Sequence, residues 1–168
     1  MKSVVVCAQL GDLVVTPRHA PRPYRLAFYL DARGDSPVER WLQELDPVAA
    51  YALGSAMDGL LQQSGPLLCV LRPQYASSLG GGLYEFRFQD LTEDLLRQLG
   101  KKARRSLLES PQKVLFRVFF HPHGDKVLLL LGGYDKAKHS SSTYQNAQIQ
   151  IARKRLADWQ ARHHQRQK

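Results

Sequence analysis

The apolar positions of this chain change period several times, and each change marks an element. From Tyr24 to Leu30 they alternate, with Leu26, Phe28 and Leu30 on one side, which predicts a strand. Asp31 to Asp35 reads as a turn. Ser36-Pro37-Val38-Glu39 then reads as a helix start, because the serine oxygen can accept from the Glu39 N–H and proline suits the first helical position. Val38, Trp41, Leu42 and Leu45 form the apolar stripe of that helix. Asp46-Pro47 repeats the start signal, and Ala49, Leu53, Ala56 and Leu60 carry a second helix to about Gln63, before Gly65-Pro66. The short connection predicts an antiparallel helical hairpin.

Leu67 to Gly82 shows no regular period and closes on Gly80-Gly81-Gly82. Leu83 to Phe88 (LYEFRF) alternates, with Tyr84, Phe86 and Phe88 opposite Leu83, Glu85 and Arg87. Leu91 to Leu108 has helical spacing and ends in Lys101, Lys102, Arg104 and Arg105. Val114 to Phe120 (VLFRVFF) is a third alternating strand, with Arg117 between Leu115 and Phe119 on its minor face. His121 to Asp125 reads as a turn. Val127 to Leu131 is apolar throughout, as in a central strand buried on both faces. Ser140 to about Arg162 is a final helix with Ile149, Ala152, Leu156 and Trp159 as its stripe. The order predicts an α+β domain with a small, antiparallel-rich β-sheet and helices packed on one face. The later strands are joined by short links, which favours antiparallel pairing.

Composition adds direction. The 168 residues suit one domain, and a formal charge of +9 favours a polyanionic partner. The charge is clustered at Lys101–Arg105 and after Lys136, as an electrostatic footprint is. Residues 1–22 read as an N-terminal extension, left open between a mobile arm, an added edge strand and translation from an upstream start. Residues 23–162 form the domain, and 163–168 a basic tail. Cys7 and Cys69 sit in apolar runs and read as small hydrophobes in a reducing compartment. No apolar run reaches the roughly 18 residues of a membrane span, and the start lacks a secretory pattern, so the cytoplasm is the expected compartment.

Two arginines carry the chemistry. Arg87 and Arg117 each sit mid-strand on the side opposite the aromatic core. A buried guanidinium is costly unless it meets an anion or an open face, and its planar fork suits phosphate oxygens. If the strands pair, the two converge on one surface. A cross-strand ion pair with Glu85 is the competing structural role, and both roles can hold. Tyr134, Lys136, Lys138 and His139 follow the central strand beside the same surface. Other signals are weaker. His121 and His123 have metal-type spacing but no third ligand nearby in sequence. Gly80–Gly82 lacks the Lys-Ser/Thr of a phosphate loop, and Ser140, Ser141 and Ser142 read as capping residues.

The series LYEFRF, VLFRVFF, VLLLLGGYDKAKHSSS and IARKRLADW, with SPVERWLQEL upstream, resembles the RelE/ParE superfamily of bacterial toxins, in particular its HigB-like, phage-derived branch. The resemblance runs from about Tyr24 to Arg162. It implies a type II toxin that cleaves messenger RNA on the ribosome without a metal or cofactor and so inhibits translation. It also implies a cognate antitoxin and, through the antitoxin, operator DNA, with no membrane partner. Carried over by position, the catalytic candidates are Arg87, Arg117, Tyr134, Lys136 and Lys138. Glu85, His139, Arg153, Lys101 and Lys102 are the candidate RNA contacts around them. Three departures stand out, the first being the N-terminal extension itself, which is extra. Gln89 to Gln112 is an insertion between strands that relatives join more tightly, and Gly133 stands where some relatives place an acid. RNA brings its own nucleophile, the 2′-hydroxyl, so the protein must supply a base, an acid and cations for the phosphorane. Lys136 or Lys138 is the candidate base, and Tyr134 either stacks a nucleobase or donates a proton. A gyrase-inhibiting relative of the ParE type, and a relative that binds nucleic acid or protein without cutting, are the alternatives.

Overall fold

The computed structural model describes residues 22–88, 105 and 115–166. The expected extension up to residue 21, the helix over 91–108 apart from Arg105, and with it Lys101 and Lys102, lie outside the described residues. Five strands form one sheet in the order β1-β5-β4-β3-β2. They are β1 (Arg25–Phe28), β2 (Ala76–Gly80), β3 (Leu83–Phe88), β4 (Phe116–His123) and β5 (Val127–Asp135). Strand β5 pairs with β1 in parallel, and every other pairing is antiparallel. The α+β class expected from the element order holds.

The helical starts form as their sequences dictate. Helix α1 (Pro37–Gln43) is capped by the Ser36 hydroxyl, which accepts from Glu39 N at 3.1 Å. Helix α2 (Pro47–Ala56) begins where Asp46 Oδ1 accepts from Ala49 N at 3.0 Å. It runs on through a π-helical turn, Met57–Leu61. That wider turn takes more residues per revolution, so the buried stripe of Ala49, Ala52, Leu53 and Ala56 continues through Met57 and Leu61. Leu60, expected on the stripe, is only partly buried as a result.

Strand β2 and the short helix α3 (Leu68–Leu71) occupy the segment that read as irregular. The ASSLG of β2 has no hydrophobic alternation to announce a strand, yet it pairs with β3 from Ala76↔Phe86 to Gly80↔Leu83. The glycine run makes the connecting turn, with φ of +79°, +62° and +76° at Gly80, Gly81 and Gly82. These are conformations that side chains with a Cβ rarely adopt. His121, Pro122 and His123 belong to β4 rather than to a turn. Pairing of β4 with β3 ends at Phe120, so Pro122 has a sheet neighbour on one side only and its missing N–H is tolerated.

Both faces of the sheet are covered, which corrects the expectation of helices on one face. Phe86, Phe88, Phe116, Val118, Phe120, Leu128 and Leu130 pack with Val38, Leu53 and Leu61 of α1, α2 and its π turn. On the other side, Leu83, Phe119, Leu129, Leu131 and Tyr134 pack under Ala152 and Leu156 of the C-terminal helix α4 (Ser142–Arg166). The strand parities already contained this. Leu83, Phe119, Leu129 and Leu131 form a second apolar face that water cannot be left against.

A bulge decides which way the end of β5 faces. Phe120 pairs with Leu130 and Phe119 with Gly132, so Leu131 is the extra residue. Beyond it the parity of β5 is reversed, which places Tyr134 opposite Arg117 rather than on the side of Leu128 and Leu130. The Leu131 carbonyl accepts from Arg155 Nη1 at 2.7 Å, so the helix satisfies a group that the bulge leaves out of register.

Gly133, the position where some relatives place an acid, then faces the other way. A Cβ there would lie 2.4 Å from the Trp41 ring and 2.9 Å from the Arg117 carbonyl oxygen. No acid fits, and none would point at the candidate site. Gly133→Ala should destabilise the fold by about 2–3 kcal/mol through overpacking, read as a lowered urea midpoint at unchanged slope. An unchanged midpoint would show that Trp41 is not held where the fold places it.

Candidate functional site

Register brings the predicted residues together. Arg87 of β3 lies directly opposite Arg117 of β4, and Arg117 directly opposite Tyr134 of β5. The three form a row across the sheet on the face toward α4. Lys136 follows at once, its N–H donating to the Leu115 carbonyl at 2.6 Å.

Like-charged neighbours in adjacent strands need a counter-ion, and Glu85 supplies it. Its carboxylate accepts from Arg87 Nε at 2.8 Å and lies 3.7 Å from Arg117 Nε. Arg87 also donates from Nη2 to the Ser77 hydroxyl at 2.5 Å. Two guanidiniums thus share one carboxylate. The pair roles differ by exposure: the Arg87 side chain is 29% exposed, whereas those of Arg117 and Glu85 are 5% and 2% exposed. Burial pulls the Arg117 pKa down and the Glu85 charge opposes that, so the carboxylate keeps the guanidinium cationic.

The first turn of α4 packs against Glu85 and Tyr134. Ser141, as expected of a cap, accepts from Tyr144 N at 3.1 Å. Gln145 donates to Glu85 Oε1 at 3.3 Å and accepts from Lys136 Nζ at 3.4 Å, which links the buried carboxylate to the lysine. Tyr134 is buried too. It stacks on Phe119 with ring centroids 6.2 Å apart and meets the Tyr144 ring edge-on at 5.4 Å. Its hydroxyl is without a hydrogen-bond partner among the described residues. Burial, then Glu85, raises the phenol pKa, so it stays protonated. A buried ring of this kind cannot stack a nucleobase.

The rim is open. His139 is exposed and stacks on Tyr144 at 4.1 Å and 11°. Lys138 is 72% exposed, with its ammonium 3.9 Å from Asp135 Oδ2. The loop holding both is fixed by Asp135, which accepts from Ala137 N at 2.8 Å through Oδ1 and from His139 N at 3.1 Å through its carbonyl. Accessible cationic character therefore rests with Arg87, Lys136 and Lys138.

Two candidate RNA contacts are placed elsewhere in role or position. Glu85 is a buried counter-ion, and a carboxylate repels phosphate. Arg153 donates to the carbonyls of Leu79 at 2.6 Å and Gly80 at 3.3 Å, at the far end of β3 from Arg87. Three side chains escaped the sequence reading: Ser77, Tyr144 and Gln145. Ser77 lay in the unrecognised strand. Gln145 continues the α4 stripe backward from Ile149 by helical spacing, which would have found it, whereas Tyr144, five residues before Ile149, lies off that stripe.

No protein-family model matches the chain, and no curated protein matches it in sequence.

Proposed function

We propose that this protein is an RNA-cleaving toxin that acts on messenger RNA at the ribosome and is neutralised by an antitoxin. The observation that carries the reading is the row Arg87–Arg117–Tyr134 beside Lys136, with one carboxylate for two guanidiniums. The sequence motifs that resemble the RelE/ParE superfamily support it, as does the net charge of +9.

The chemistry follows from access. The RNA 2′-oxygen attacks the adjacent phosphorus as its proton leaves to a base. The bond to the 5′ oxygen breaks, and that oxygen takes a proton, leaving a cyclic phosphate and a 5′-hydroxyl. Arg87 and Lys136 are the cations that reach the phosphate and stabilise the charge that develops on it. Arg117 acts through Glu85, which it helps to hold, and is a positioning residue. Tyr134 supports the Tyr144 ring, and the exposed His139 on the other side of that ring offers a flat surface to a base. Lys138 adds a solvated charge at the rim.

Purified protein added to ribosomes loaded with messenger RNA tests this. Cleavage within the bound codon, with ribosome affinity falling steeply as salt is raised, is the expected result. DNA breaks on expression in cells, with intact RNA, would transfer the site to a gyrase-directed role.

A further inference from the structure

Lys136 and Lys138 follow the central strand two residues apart, and their side chains are held differently. The Lys138 side chain is 72% exposed, with its ammonium near the Asp135 carboxylate. The Lys136 side chain is partly buried, and its ammonium donates to the Gln145 amide oxygen at 3.4 Å. The backbone on both sides of that contact is fixed. Lys136 N donates to the Leu115 carbonyl at 2.6 Å, and Gln145 N donates to the Ser141 carbonyl at 3.1 Å in the first turn of α4. The other end of the Gln145 amide donates to Glu85 Oε1 at 3.3 Å.

A carboxylate only accepts and an ammonium only donates, so these two neighbours fix which way the amide points. A carboxylate in place of the amide would also hold the lysine. It would, however, offset the lysine's charge and lie against Glu85 as a like charge. The amide restrains the ammonium without neutralising it. Glu85 is balanced from the sheet side, where Arg87 Nε donates to it at 2.8 Å and Arg117 Nε lies 3.7 Å away. Lys136 is therefore tied to Arg87 through Gln145 and Glu85.

We propose that Gln145 is a positioning residue that holds the Lys136 ammonium at a fixed place relative to Arg87 while leaving its full charge for the substrate phosphate. A lysine stem is flexible, whereas a cation that stabilises developing charge has to be in place before the reaction. Lys138, with no amide to hold it, stays a solvated charge at the rim.

The positioning stands on these contacts alone, and its effect on cleavage rests on the function proposed above. Carbon-13 relaxation at the lysine Cε positions of the full-length chain reads the positioning without any activity. Lys136 should be more ordered than Lys138 in the wild type and should fall to the level of Lys138 in Gln145→Met, which keeps the bulk and loses the amide. Gln145→Ala gives the same reading if the methionine variant does not fold. On ribosomes, Gln145→Met should lower the maximal cleavage rate about tenfold, with the half-saturating ribosome concentration unchanged within about twofold. The loss should persist in an Arg87→Ala background and shrink to less than about twofold in Lys136→Ala, where the side chain to be positioned is gone. Equal mobility of the two lysines in the wild type, unchanged order of Lys136 in the variants, or an undiminished loss in the Lys136→Ala background would overturn the proposal. The expected change in order in a protein that cleaves no RNA would leave the positioning standing and sink the RNA reading alone.

Discussion

Arg87→Ala should lower ribosome-dependent RNA cleavage by about 10²–10³-fold while the protein stays folded, the loss typical of removing one preorganised donor to a developing oxyanion. The side chain is 29% exposed, so its guanidinium can reach solvent and a phosphate. Its structural contacts are replaceable. Glu85 retains Arg117 nearby and the Gln145 amide as partners. Ser77 retains its place in β2, whose register with β3 is a backbone matter. The check is cleavage rate per folded molecule, with folding followed by circular dichroism and the urea midpoint. Arg87→Lys should recover part of the rate, because the charge returns without the fork. A folded Arg87→Ala protein that cleaves at the wild-type rate would remove Arg87 from the chemistry.

Arg117→Ala should have its largest effect on stability, about 3 kcal/mol, the lower end of the range for breaking a buried ion pair. Arg87 keeps Glu85 partly neutralised, which is why the lower end applies. The loss appears as a fall in urea midpoint. Glu85→Gln in the same background should restore part of it, since the uncompensated carboxylate is then gone. No recovery in that double variant would mean that the ion pair is not what Arg117 contributes. Growth assays on Arg117→Ala alone therefore report folding, and Arg87 and Lys136 are the positions at which chemistry can be separated from it.

Strand parity is a local property, and it made the two arginines legible. In LYEFRF and VLFRVFF the side of each residue follows from counting by twos, and Arg87 and Arg117 do share a face. Tyr134 could not be placed by counting, because the bulge at Leu131 exists only in the pairing of β5 with β4. Strand β2 was hidden because ASSLG has small and polar side chains, and its pairing is made by the backbone. The cover over the site was half legible. The stripe Ile149, Ala152, Leu156 and Trp159 announced a docking helix, but which face it takes depends on the sheet being closed on the other side by α1 and α2. The consequence for the site is large. A face that read as open and basic is a buried ion network, with Arg87, Lys136, Lys138 and His139 at its edge.

Mapping of RNA 5′ ends after inducible expression decides whether this protein cuts messenger RNA through Arg87. Growth arrest with new 5′ ends inside translated messages, both lost in Arg87→Ala, is the expected result. Growth arrest with intact messages, or the same ends appearing in Arg87→Ala, would contradict it.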